Sequence, residues 1–195
     1  MKPSILFLLI TICLHSFAQF DERFYYPKAA WNTIADSIDY EEVNFKIKQG
    51  KISGLLLNPK GDFKGNILYF HGAGGNVTTY LPITTPLASL GYRILMIDVR
   101  GYGKSEGKPT HIGIAEDGPE ILNWVLKQKN FKNHELIIYG ASMGTQIATH
   151  LSSQFPEKVQ LLILDGPMTS FTDIALHSAA EEQKAIIQQF VTSPY

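Results

Sequence analysis

The 195-residue chain has a single cysteine, Cys13. One thiol forms no intrachain disulfide and makes no cysteine-rich metal site. An excess of either charge is also missing: 17 basic residues face 18 acidic ones, for a formal net charge of −1. With no Lys/Arg run to steer polyanions, nucleic acid is excluded as a partner. No apolar stretch reaches the ~18 residues that a membrane span needs. Internal repeats, low-complexity tracts and linkers are absent too, so the chain reads as one domain. What is present is an ordinary globular balance, 45% hydrophobic and 18% charged, which excludes disorder.

Residues 1–18 read as a secretory signal peptide. Lys2 gives a positive start, Ile5–Leu14 a short apolar run, and Ser16-Phe17-Ala18 small residues at the cleavage position. An anchoring helix is the alternative, but the run is too short for ~30 Å of hydrocarbon. Cleavage near Ala18 exports the rest to the periplasm or the exterior as one domain, 19–195. Cys13 leaves with the signal, so the mature chain folds without disulfides, on its core alone.

Along that domain, Phe20–Ser37 is an aromatic arm expected to pack with some helix. Tyr40–Lys48 alternates, with Val43, Phe45 and Ile47 on one face, and Lys51–Asn58 follows Gln49-Gly50. The pair predicts a β-hairpin. Four short apolar runs then lack alternation: Asn66–Phe70, Tyr92–Ile97, Glu135–Tyr139 and Val159–Leu164. Strands buried on both faces read this way. Between and after them lie helical stretches: Val77–Leu90 (broken by Pro82 and Pro86), Ile112–Lys129, Ser142–Phe155, Thr169–His177 and Ala179–Phe190. Alternating strands and helices predict an α/β fold, a mostly parallel sheet with the antiparallel hairpin at one edge.

The chemistry is expected at Gly140-Ala141-Ser142-Met143-Gly144. G-x-S-x-G is a weak pattern by itself. Here it follows the apolar Leu136–Tyr139 and opens a helix, the strand–turn–helix context of a nucleophile elbow. Glycines at 140 and 144 allow the close approach that such a turn demands. A serine that merely caps the helix is the alternative. His71-Gly72-Ala73-Gly74-Gly75-Asn76 follows the Asn66–Phe70 strand in the same way. An oxyanion hole takes one N–H from the residue after the nucleophile and one from such a loop, here Met143 and Ala73. A phosphate-cradling loop is the competing reading, but the third glycine of G-x-G-x-x-G and an acidic ribose partner are missing.

With these residues in view, the chain resembles the α/β-hydrolase superfamily, in its serine-aminopeptidase-like branch. The resemblance rests on the HGxxGN loop at His71–Asn76, on Asp98-Val99-Arg100-Gly101-Tyr102-Gly103-Lys104-Ser105-Glu106-Gly107, and on the GxSMG elbow at Gly140–Gly144. Asp165–Ser170 resembles the turn after the next strand. The likeness implies that Asp98 and Arg100 hold a turn, and that His71 holds the oxyanion loop by a hydrogen bond. It also implies a catalytic order of Ser, then Asp or Glu, then His. The expectation is therefore an α/β-hydrolase fold lacking its last two strands, with acid and histidine past Tyr195 and Val159–Leu164 left as an apolar edge.

Within the chain, His177 is the one downstream histidine in the required order, with Asp165 as its candidate acid, although His177 falls in a helix. His150 is eight residues into the helix, about 12 Å along its axis, too far to serve as base. His111 and His134 read as solvated loop residues. Ile186, Ile187 and Phe190 read as core rather than an acyl-binding lid. The leading expectation is an exported serine hydrolase acting on a small ester, amide or peptide, without metal or organic cofactor. The alternative is a non-catalytic relative that binds a ligand or partner protein; a plain scaffold domain comes third.

Overall fold

A computed structural model describes residues 24–132 and 134–190. The signal-peptide reading of residues 1–18, Cys13 included, lies outside them, as does the start of the arm. Strands are β1 (Tyr26–Pro27), β2 (Tyr40–Ile47), β3 (Gly50–Leu57), β4 (Gly65–Phe70), β5 (Gly74–Gly75), β6 (Tyr92–Asp98), β7 (Leu136–Ala141) and β8 (Val159–Asp165). Helices are α1 (Leu81–Ser89), α2 (His111–Val125), α3 (Met143–Gln154), α4 (Phe171–Ser178) and α5 (Glu181–Phe190). Short 3-10 turns cover Val77–Tyr80 and Pro156–Lys158.

The main sheet has the order β2-β3-β6-β4-β7-β8. The β2–β3 hairpin is antiparallel, and β3 joins β6 antiparallel. From β6 through β4 and β7 to β8 every pairing is parallel. Apolar runs without alternation make sense here, because both faces are covered. Along β4, Leu68 and Phe70 enter one core with α2, α3, Ala175 and Ile187. Ile67 and Tyr69 enter the other, with Val77, Leu81 and Ala88. Parallel strands place their C-terminal ends on one edge. His71, Val99, Ser142 and Gly166 all follow directly from that edge, which is where α/β sheets bind ligands.

Three expectations need correction. The arm contains no helix among its described residues; Tyr26–Pro27 is extended and pairs with Gly74–Gly75 in a separate two-stranded sheet. Pro86 does not break its helix, since α1 runs through it. Pro82 sits in the first turn, where a missing N–H costs nothing, so only one intrahelical bond is lost, at Pro86. Val159–Leu164 is not buried on both faces. It is the sheet edge among the described residues, the apolar edge that the hydrolase resemblance implied, with Leu161 50% and Leu164 38% exposed. Ile187 is core as expected; the side chains of Ile186 and Phe190 lie outside the description.

Candidate active site

Strand β7 ends at Ala141 and α3 begins at Met143, so a single residue makes the turn. That residue is Ser142, with φ 49° and ψ −115°. It is the one non-glycine residue with positive φ among those described. Such a backbone is costly for a residue with a Cβ, by about 1–3 kcal/mol. Its side chain makes no capping bond to α3 and is exposed, which removes the helix-cap alternative. The turn is held around it: Ser142 N–H donates to the Asp165 carbonyl at 2.7 Å. The Ser142 carbonyl accepts from Thr145 N at 2.9 Å and Thr145 Oγ1 at 2.5 Å.

The two glycines are required by contact. A Cβ on Gly140 would lie 2.6 Å from Thr145 Cα. One on Gly144 would strike the Phe70 carbonyl, 2.6 Å from its carbon, and reach 2.9 Å from the His71 carbonyl. The helix start is thus pressed against the end of β4, and the His71–Asn76 loop lies beside Ser142. A Cβ on Gly72 would come within 3.2 Å of the Ser142 Cβ.

The loop is tied from several sides. Buried His71 donates from Nδ1 to the Gly72 carbonyl at 2.7 Å, and its Nε2 accepts from Val99 N at 3.4 Å. Both nitrogens are used, and burial lowers its pKa, so it is a neutral structural ring. The Ala73 carbonyl accepts from Tyr102 Oη at 2.8 Å and Tyr26 N at 2.9 Å. Among the described residues, neither Ala73 N–H nor Met143 N–H has a protein acceptor.

Asp98 anchors the next layer. Its buried carboxylate accepts from Val77 N at 2.8 Å and Trp31 Nε1 at 2.7 Å. Arg100 forms a two-pronged pair with Asp117 of α2, with Nε to Oδ2 at 2.6 Å. Burial raises the Asp117 pKa while Arg100 pulls it down. Both residues hold the turn rather than face Ser142.

Asp165 sits opposite Ala141 at the end of β8, and its carboxylate accepts from Tyr139 Oη at 3.2 Å. His177 lies exposed on α4. No hydrogen bond or ion pair joins it to Asp165 or Ser142 among the described residues, so His177 is not linked to the other two candidates. His134 packs edge-on to Phe63 at 5.4 Å. Sequence reasoning missed Tyr26, Trp31, Tyr80 and Tyr102. The aromatic composition of the arm was the available signal for the first two, and the RGYG tyrosine for the last.

A mostly parallel sheet with a strained serine on its strand-to-helix turn defines the architecture of an α/β hydrolase. The family model for the alpha/beta hydrolase fold matches residues 65–192, and the chain belongs to that family. It is 26% identical over 181 residues to the uncharacterized protein YfhR of Escherichia coli K12, covering 89% of this chain and 64% of YfhR. It is 28% identical over 150 residues to the lysophosphatidylserine lipase ABHD12 of Gallus gallus, covering 74% of this chain and 37% of that protein. The Pyrococcus furiosus esterase Pf2001 superposes with a TM-score of 0.64 at 21% identity, covering 86% of this chain and 70% of the esterase chain. The chain therefore spans less than two thirds of the length of these two curated relatives.

Proposed function

We propose that the protein is an exported serine hydrolase that cleaves a small ester, with Ser142 as its nucleophile. The observation that carries this is the backbone of Ser142. Strain at one exposed, uncapped serine, between two glycines that tolerate no side chain, has no structural benefit of its own. Ser142 Oγ attacks the substrate carbonyl. Ala73 and Met143 N–H groups, free of protein acceptors among the described residues and beside the N-terminus of α3, receive the developing oxyanion. An acyl-enzyme forms as the alcohol leaves, and water then releases the acid.

A serine hydroxyl needs a base beside it. This reading requires a histidine and an acid beside Ser142, and the curated relatives are longer than the matched part, 64% of YfhR and 37% of ABHD12 being covered. Export rests on residues 1–18. Esters rank ahead of amides because ABHD12 is a lipase and Pf2001 an esterase.

The test is hydrolysis of short-chain p-nitrophenyl esters by the protein as its source secretes it, alongside Ser142→Ala, with intact mass measured on the same sample. Turnover lost in the variant supports the reading, and a mass starting near residue 19 supports export. No turnover at all favours the ligand-binding alternative.

A further inference from the structure

Tyr80 ends the 3-10 turn that Asn76 caps through its side chain. The turn brings the phenol back over the loop it has just left. Its ring lies 5.8 Å from the His71 ring, inclined at 27°, while Tyr102 packs on His71 at 4.8 Å. Two tyrosines thus share one buried imidazole, and their hydroxyls reach neighbouring peptides of one loop. Tyr102 Oη donates to the Ala73 carbonyl at 2.8 Å. Tyr80 Oη donates to the Gly74 carbonyl at 3.2 Å. The same oxygen lies 2.6 Å from where a Gly72 Cβ would sit, the point that is 3.2 Å from the Ser142 Cβ. Burial raises the Tyr80 pKa, with the Gly72 backbone pulling the other way, so the hydroxyl keeps the proton it donates.

We infer that Tyr80 is a positioning residue of the oxyanion loop, its hydroxyl bonded to the Gly74 carbonyl and packed beside Gly72 so that the Ala73 N–H between them stays aimed beside Ser142. The catalytic part of this inference rests on the hydrolase reading. His71 Nδ1 holds the Gly72 carbonyl, in the same peptide as the Ala73 N–H, and Tyr102 and Tyr26 hold the Ala73 carbonyl of the next peptide. Tyr80 adds the bond at the Gly74 carbonyl and fills the space beside Gly72, which limits rocking of the glycine-flanked segment between them. A donor must sit within tenths of an ångström of the developing charge, so the loss of this brace falls on the transition state rather than on substrate binding.

The experiment is Tyr80→Phe in the full chain, which keeps the ring packing on His71. Hydrogen exchange by mass spectrometry reads the His71–Asn76 loop whether or not the protein turns over. The fluorophosphonate labelling rate and the kcat and KM for a p-nitrophenyl ester read the chemistry. Expected are faster loop exchange, labelling and kcat lower by roughly tenfold, and KM within about twofold. Unchanged loop exchange overturns the inference. Faster exchange with unchanged labelling and kcat also overturns it, because the brace would then be structural only. A wild-type chain that neither labels nor hydrolyses esters overturns the hydrolase reading and the catalytic consequence. Loop exchange then still decides whether Tyr80 pins the loop.

Discussion

Replacing Ser142 by glycine should stabilise the protein. At φ 49° and ψ −115° the serine holds a conformation that glycine adopts without a Cβ clash. Relief of this strain is worth about 1–3 kcal/mol. Against it stands the larger unfolded-state entropy of glycine, about 0.5–1 kcal/mol. The hydroxyl offsets little, since it makes no capping bond to α3. A net gain of up to about 2.5 kcal/mol is expected, raising Tm by up to roughly 10 °C in a domain of this size. Ser142→Ala is the control: it removes the hydroxyl but keeps the Cβ, and with it the strain. The assay is a thermal melt of all three proteins by circular dichroism. Glycine should melt highest, with serine and alanine close together. A glycine variant that melts with or below alanine would refute the claim that strain is stored at this turn.

Other perturbations probe the surrounding layers. Gly144→Ala should cost about 3 kcal/mol in urea melts, because its Cβ meets backbone at the end of β4 rather than a movable side chain. Arg100→Ala should cost about 3–5 kcal/mol by the same assay, since it leaves the Asp117 carboxylate buried without its partner. Trp31→Phe removes a donor from the buried Asp98 carboxylate and should cost about 1–3 kcal/mol. His71 gives a pH signature. Its folded pKa lies below the ordinary ~6.5, so the unfolded chain takes up the proton first. Its contribution is complete above pH ~6.5 and is lost as pH falls below that, by up to about 1.4 kcal/mol per unit until the folded pKa is reached. His71→Asn should flatten that part of the stability–pH curve.

Much of the site is legible in the sequence because it is built from backbone requirements. Gly140 and Gly144 flank Ser142 because Cβ atoms there would overlap the neighbouring backbone, and such steric demands leave fixed letters. The strands were legible for a related reason: burial on both faces removes alternation. Two kinds of feature were not legible. Contacts distant in sequence leave no local pattern, as with Trp31 to Asp98, Tyr26 to Ala73 and the pairing of Tyr26–Pro27 with Gly74–Gly75. Position in the sheet is also invisible in the local pattern: VQLLIL reads like a central strand, and only the hydrolase resemblance implied the edge that β8 occupies, with Leu161 and Leu164 exposed. Pro86 misled because the rule against proline in helices says nothing of a helix that loses one bond and keeps its packing.

The central claim is that Ser142 is an activated nucleophile. The most direct measurement is fluorophosphonate labelling of the protein as its source makes it, with the modified residue located by peptide mass spectrometry. Phosphonylation of Ser142, absent from Ser142→Ala, is the predicted result. A folded wild-type protein left unmodified at Ser142, or labelled equally in the alanine variant, would contradict it.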